Sequence, residues 1–408
     1  MKKLLLILLL GFATAARAQT EGENLHVYLL TFGPGKEVWE RFGHDALVVE
    51  DRASNYSVAW NWGMFDFGQP HFLRNFVKGR MNYWMSGSYM PGLIQFYADS
   101  LKRSVWIQEL NLTPQQKIAL KGFTEWNSLD ENKFYQYDYY RDNCTTRIRD
   151  ALNTVLNGEV SRQLKAIPTA STYRSQTKAL TLNDPLLYEG LMLAMGQNID
   201  QPLTAWEESF LPMELQSWVR SVKVRNTAGK MQSLVLSERT YFQGPAVPIA
   251  DETPSRVIPF TIAGILIAGL IVLLGRLSQE KRAATVALAV VVTIWCLVSG
   301  ILGTIIELLW AGTSHMVTYR NENVLQANSI VLMLAIFAGP AIVGKIWARR
   351  WSVWLALFVA GLSVLGFMLQ IFPVLDQNNG EVIGLFMPVH GAVAWVLWHR
   401  WRVRQLAT

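Results

Sequence analysis

Two short blocks carry residue types able to do nucleophilic chemistry. RDNCTTRIRD, residues 141–150, holds Cys144, one of two cysteines in 408 residues, and RFGHDAL, residues 41–47, holds His44. A thiol acts as a nucleophile when a base lies within hydrogen-bond reach and a third group orients that base. His26, His44 and His71 are the histidines available ahead of Cys144, and His44 is the best placed, heading an apolar run directly after a glycine. The same spacing also fits a strand-end histidine and a helix-start cysteine that only pack, and spacing alone leaves the two explanations level.

The elements around these residues say how they could meet. LHVYLLTFG (25–33) is an apolar run ended by Gly-Pro-Gly and reads as a strand or a helix–strand junction. KEVWERFGHDALVVED, with its apolar run Ala46 to Val49 after His44, and YSVAWNWGMFDFG, separated by a turn at RASN, read as a hairpin centred near Ala53. That hairpin sets His44 opposite Asn61 or Trp62, which makes Asn61 the expected third group, with Asp66 behind it. Asp45 falls on the opposite strand face from His44. Asp142 and Asn143 are capping types, and Ile148, Leu152, Val155 and Leu156 repeat at helical spacing, so Cys144 falls in the first turn of a helix. The backbone N–H groups and dipole there favour a thiolate, which predicts a lowered thiol pKa. Thr113 followed by Pro114 starts another helix, residues 160–220 read as mostly helical, and MQSLVLSERTYF (231–242) reads as an edge strand.

Compartment decides what a single thiol means. Lys2 and Lys3, the apolar residues 4–16 and the small-x-small site ending at Ala18 read as a cleaved signal peptide, residues 1–18. No cysteine follows that site, so the chain is not expected to be a lipoprotein itself. Residues 19–256 then form an exported domain, and 257–408 carry five apolar blocks near bilayer length: 257–275, 283–309, 328–347, 352–372 and 382–398. Basic residues cluster between blocks one and two (Arg276, Lys281, Arg282), between three and four (Lys345, Arg349, Arg350) and after five (Arg400, Arg402, Arg404). By the positive-inside rule these faces are cytoplasmic, and the large domain and the loops 310–327 and 373–381 face outward. The net charge of +6 owes much to these loops and points to no nucleic-acid partner. Cys296 lies inside the second block as a packing residue, leaving Cys144 alone in an oxidising compartment.

FGHDAL, WNWGMFDF and YDYYRDNCTTRIRDAL together resemble the exported domain of the Lnb-type lipoprotein N-acyltransferases of Bacteroides-type bacteria, a family that also appends five membrane helices. The resemblance implies an α+β papain-like domain of the NlpC kind, permuted so that His precedes Cys, followed by an α-helical membrane bundle. It implies Cys144 as the acyl-accepting nucleophile and His44 as its base. The implied partners are a phospholipid acyl donor, a lipoprotein acceptor and the inner membrane. Trp62 stands where a smaller aromatic such as Tyr would be expected, which leaves the Cys–His pair untouched.

Nine aromatics crowd residues 60–90, mostly as expected core, with Lys78 and Arg80 beside them as a possible lipid-facing surface. The polar loop GTSHMVTYRNENVLQANS brings His315, Asn321 and Asn323, which look like similarly placed residues in the family and are the expected substrate-binding group, although loop hydration explains them too. Glu307 and His390 are ionisable groups within or near spans. No metal-binding signature, Cys/His cluster or phosphate-binding glycine loop is present, so no cofactor or metal is expected. The competing functional readings are a membrane-tethered cell-wall hydrolase, for which five spans exceed what tethering requires, and a non-catalytic envelope sensor.

Overall fold

The computed structural model describes residues 21–245 and 254–406. The expected signal peptide and most of the Pro-rich tether before the first span lie outside these residues. The described chain divides into two compact units, one of residues 21–68, 81–169 and 203–245, the other of 69–80, 170–202 and 254–406.

The first unit is built on a seven-stranded antiparallel sheet. Its strands are β1 (Leu25–Phe32), β2 (His44–Asp51), β3 (Tyr56–Met64), β4 (Asn82–Tyr89), β5 (Val105–Leu110), β6 (Phe134–Gln136) and β9 (Val235–Phe242), in the order β6-β4-β3-β2-β1-β5-β9. A separate ribbon pairs β7 (Lys223–Arg225) with β8 (Met231–Ser233). Both faces of the central strands are covered, which is why β1 and β2 read as near-continuous apolar runs rather than alternating ones. On one face Val27, Leu29, Leu47, Val49 and Trp62 pack with Ile148 and Leu152 of the helix Cys144–Val155. On the other, Leu30, Phe32, Ala46, Val48 and Ala59 pack with Ile94 and Tyr97. The run at 25–32 is thus a strand, and the edge strand expected at 231–242 is β9, beside β5. Trp62 is fully buried and donates its indole N–H to Asn127 Oδ1 at 2.9 Å.

Helix starts follow local chemistry. Thr113 accepts from the Gln116 N–H and Gln116 reaches back to the Thr113 N–H, with Pro114 first in the helix Pro114–Asn127.

The second unit holds five helices long and apolar enough to cross a membrane: Val257–Leu277, Arg282–Gly312, Glu322–Ile342, Ile346–Leu369 and Gly380–Val403. The first packs on the fifth, and the second, third, fourth and fifth pack in succession. The chain is therefore an α+β domain followed by an α-helical bundle of five span-length helices.

Candidate active site

Asn143 fixes the start of the helix that carries Cys144. Its Oδ1 accepts the N–H groups of Thr145 and Thr146, both at 2.9 Å, while its Nδ2 donates to the carbonyls of Tyr139 and Phe210 at 3.0 Å. Every polar atom of that side chain is engaged, so the first turn is held rigidly. Asp142 grips Arg147 with both carboxylate oxygens, at 2.5 and 2.7 Å.

His44 opens β2. Gly43 before it sits at φ +81°, where a Cβ would press on the Phe32 carbonyl oxygen at 2.9 Å, so glycine alone allows this entry into the strand. The imidazole lies beside a stacked pair of rings, its centroid 6.1 Å from both Phe32 and Tyr97, which are 3.7 Å apart. Its Nε2 meets Asn61 Oδ1 at 3.1 Å, and the Asn61 amide donates to the Ala59 carbonyl at 3.1 Å. That second bond identifies Oδ1 as the atom facing the ring, so Nε2 carries the hydrogen and Nδ1 keeps its lone pair. Asn61 is thus the residue that orients the imidazole. Asp66 is exposed, and its Oδ1 accepts the Gly68 N–H at 2.8 Å in a turn.

The thiol and the imidazole come together through backbone. The β2–β3 ladder ends at Leu47–Trp60, and β3 breaks register between Asn61 and Met64. The Asp45 N–H, beyond that ladder, turns to the Cys144 sulfur, as do the N–H and hydroxyl of Thr145. Among the described residues no hydrogen bond joins Sγ to the imidazole directly. Gly63, in the break, has φ +88°; a Cβ there would lie 3.6 Å from Cys144 Cβ, 3.8 Å from Tyr137 Cε2 and 3.9 Å from the Tyr135 hydroxyl. The break therefore leaves a space bounded by Cys144 and two tyrosines.

The electrostatics depart from expectation in one respect. Burial pushes the Cys144 thiol above the ordinary range, outweighing the N–H donors of the first turn. The lowered pKa expected from the helix start is overturned because the sulfur is desolvated. Burial likewise lowers His44, which favours the neutral imidazole. Asp45 is fully buried, and burial first, the neighbouring thiol second, push it up to about 8. Its carboxyl oxygens face the Thr31 and Thr145 hydroxyls, which hold it down less than burial pushes it up, and neither contact has good hydrogen-bond geometry. Arg103 is buried in the same region, donates Nε to the Gly33 carbonyl at 2.7 Å and lies 4.9 Å over the Tyr97 ring. Tyr97, Arg103, Tyr135 and Tyr137 join the site without a sequence motif that marks them.

The remaining expected residues lie in the second unit. His315 is half-buried and its Nε2 donates to the Phe76 carbonyl at 2.9 Å. Asn321 and Asn323 are fully buried. Asn321 Nδ2 donates to the Leu193 and Ala194 carbonyls at 2.9 and 3.0 Å, and Asn323 Nδ2 to those of Met192 and Leu193 at 3.2 and 3.0 Å. Their Oδ1 atoms accept from Gln377 and Asn379. These two side chains brace the end of the helix Pro185–Ala194, and their polar atoms are already engaged. Glu307 caps the Ser329 N–H at 3.2 Å and lines a cavity of ≈ 390 Å³ with Trp310 and Asn328. His390 Nδ1 and Ser363 Oγ pair at 2.7 Å inside the bundle, where Cys296 is buried. No cluster able to hold a metal ion occurs among the described residues.

Two family models match the chain. The one described as the Lnb N-terminal periplasmic domain matches residues 12–179, and the one described as the Lnb transmembrane domain matches residues 251–375. No curated protein and no solved structure matches. With the five span-length helices, these matches make the chain a multi-pass inner-membrane protein whose N-terminal domain is periplasmic.

Proposed function

Because the chain belongs to the Lnb family, we propose that it is a thiol-dependent lipoprotein N-acyltransferase. In the first half-reaction His44 Nδ1 takes the Cys144 proton as Sγ bonds to an ester carbonyl carbon of a phospholipid. The carbonyl pair moves to oxygen; on collapse the ester C–O bond breaks, and the lysophospholipid alkoxide leaves with the proton from His44. In the second, the N-terminal amine of a diacylglyceryl-cysteine lipoprotein attacks the thioester. Sγ departs as the leaving group and recovers its proton as the amide forms.

The observation that carries this reading is the Asn61–His44 pair, at 3.1 Å, beside a thiol held at a rigid helix start. It supports a raised thiol activated at the moment of attack by a neutral, oriented base, rather than a standing thiolate–imidazolium pair. The aromatic line Tyr137, Tyr83, Phe65 and Phe67, with successive centroids 4.4, 5.1 and 5.1 Å apart, offers the acyl chain an apolar wall from the thiol outward. His315 is the proposed contact for lipid phosphate, with Asn321 and Asn323 setting the shape of its loop rather than touching substrate. The proposed organisation is a cleaved leader 1–18, an exported domain 19–256 and a membrane domain 257–408 with its C-terminus cytoplasmic. Alkaline phosphatase fused near Asp251 is then active and fused after Thr408 inactive. The test of function is mass spectrometry of lipoproteins in cells where the protein is the sole N-acylating enzyme. Cys144→Ser and His44→Ala, each accumulating normally, are expected to leave lipoproteins without an N-acyl chain. Fully N-acylated lipoproteins with either variant refute the mechanism.

A further inference from the structure

Tyr135, on β6, is an element of the first unit that the thiol–imidazole–amide set does not use. It is 8% exposed; the Gly63 backbone N–H faces its hydroxyl oxygen, and its own O–H meets no acceptor. A buried O–H left without an acceptor costs stability, and such groups persist where function needs them. This one borders the space opened by Gly63. The point where a Gly63 Cβ would stand is 3.9 Å from the hydroxyl and 3.6 Å from Cys144 Cβ. The Arg147 guanidinium lies 4.1 Å over the Tyr135 ring, itself fixed by Asp142. A cation on the ring face draws electron density from the phenol and strengthens its O–H as a donor.

We propose that the Tyr135 hydroxyl is the oxyanion donor of the acyl-transfer reaction. When Sγ adds to the ester carbonyl, the electron pair placed on oxygen accepts the Tyr135 O–H, with the first-turn N–H of Cys144 as the second donor. No proton is transferred to or from Tyr135; its hydrogen bond forms as charge develops and is released when the carbonyl re-forms. Gly63 is required because a side chain there would occupy the volume the oxyanion needs. The assignment rests on the acyl-enzyme reading above and adds the group that carries its transition-state charge.

The test uses full-length protein in detergent and vesicles of phosphatidylethanolamine, and follows acylation of Cys144 by intact-protein mass spectrometry under single-turnover conditions. Tyr135→Phe is expected to slow thioester formation by about 10²-fold or more. Its alkylation by iodoacetamide, a displacement with no oxyanion, should stay within about twofold of wild type. The thermal midpoint should be nearly unchanged, because the variant keeps the ring and removes a hydroxyl whose O–H has no acceptor. Wild-type rates of thioester formation in Tyr135→Phe overturn the assignment alone. A parallel fall in alkylation, or a lowered midpoint, overturns it in favour of a packing role. Wild-type protein that never forms a thioester removes the acyl-enzyme reading and this assignment together.

Discussion

Two groups of buried polar side chains in this chain are satisfied to different degrees. Around Cys144 the satisfaction is partial: the Tyr135 O–H meets no acceptor, one Arg103 nitrogen has no partner, and the Asp45 carboxyl faces the Thr31 and Thr145 hydroxyls without good hydrogen-bond geometry. In the loop after the second long helix, Asn321 and Asn323 are equally buried, yet each amide hydrogen and carbonyl oxygen meets a partner. Side chains engaged at every polar atom rigidify and specify the fold, even where a neighbouring oxygen such as Asn379 Oδ1 is not engaged, whereas a donor left without an acceptor is ready for charge that arises only during reaction. The difference separates two groups of polar residues that look alike in sequence, and it assigns chemistry to the first and bracing to the second.

The comparison can be broken in four places. The largest effect belongs to the nucleophile and its base: His44→Ala should lower transfer by about 10²–10⁴-fold, the usual worth of a general base. An effect below tenfold removes His44 from the mechanism. Next, Asn61→Ala should cost roughly 10–10²-fold in kcat, since the imidazole loses the acceptor that sets its tautomer. Because burial lowers His44, the acid limb of kcat/KM should fall below the ordinary histidine range near pH ~6.5. Asn61→Ala, which removes the one hydrogen bond that raises it, should move that limb lower still; a limb moving up contradicts the assigned contact.

Third, Asn321→Ala and Asn323→Ala should each cost about 1–3 kcal/mol by stranding buried carbonyls of residues 192–194. The readout is the thermal midpoint in detergent, with the alkylation rate of Cys144 unchanged. Activity lost at an unchanged midpoint would return these asparagines to the substrate. The smallest effect is at Asp45. Its pKa, about 8 when folded against roughly 3.9 unfolded, means the folded state holds a proton that the unfolded state has released. Its contribution therefore falls as pH rises between those values, and Asp45→Asn should flatten that slope. The same change removes the charge that opposes a thiolate, so the alkylation profile of Cys144 should shift to lower pH. An unshifted profile would show that Asp45 does not face the sulfur.

How far this was legible from sequence follows the range of the forces involved. The helix at 144 was readable because Asn143 and the Ile148–Leu152–Val155 spacing act within a few residues. Asn61 was readable because a hairpin with a short turn fixes register, and His44 lies one diagonal step from it. The five long helices follow from composition alone. Tyr135 was not readable: β6 is three residues long and reaches the thiol by pairing with β4, some fifty residues upstream. Nor was the raised thiol, because a helix start signals charge stabilisation while desolvation depends on what the whole fold stacks around the sulfur. Asn321 and Asn323 read as substrate-binding or simply hydrated loop residues, since their partners at 192–194 are contributed by a distant helix.

The central claim is that Cys144 carries the acyl group, and intact-protein mass spectrometry of full-length protein incubated with phospholipid vesicles tests it most directly. The account predicts one acyl adduct, located to Cys144, labile to neutral hydroxylamine and discharged by a diacylglyceryl-cysteine peptide with a free amine. Amide formation on that peptide without any adduct at Cys144, or with Cys144 replaced by Ala, would contradict it.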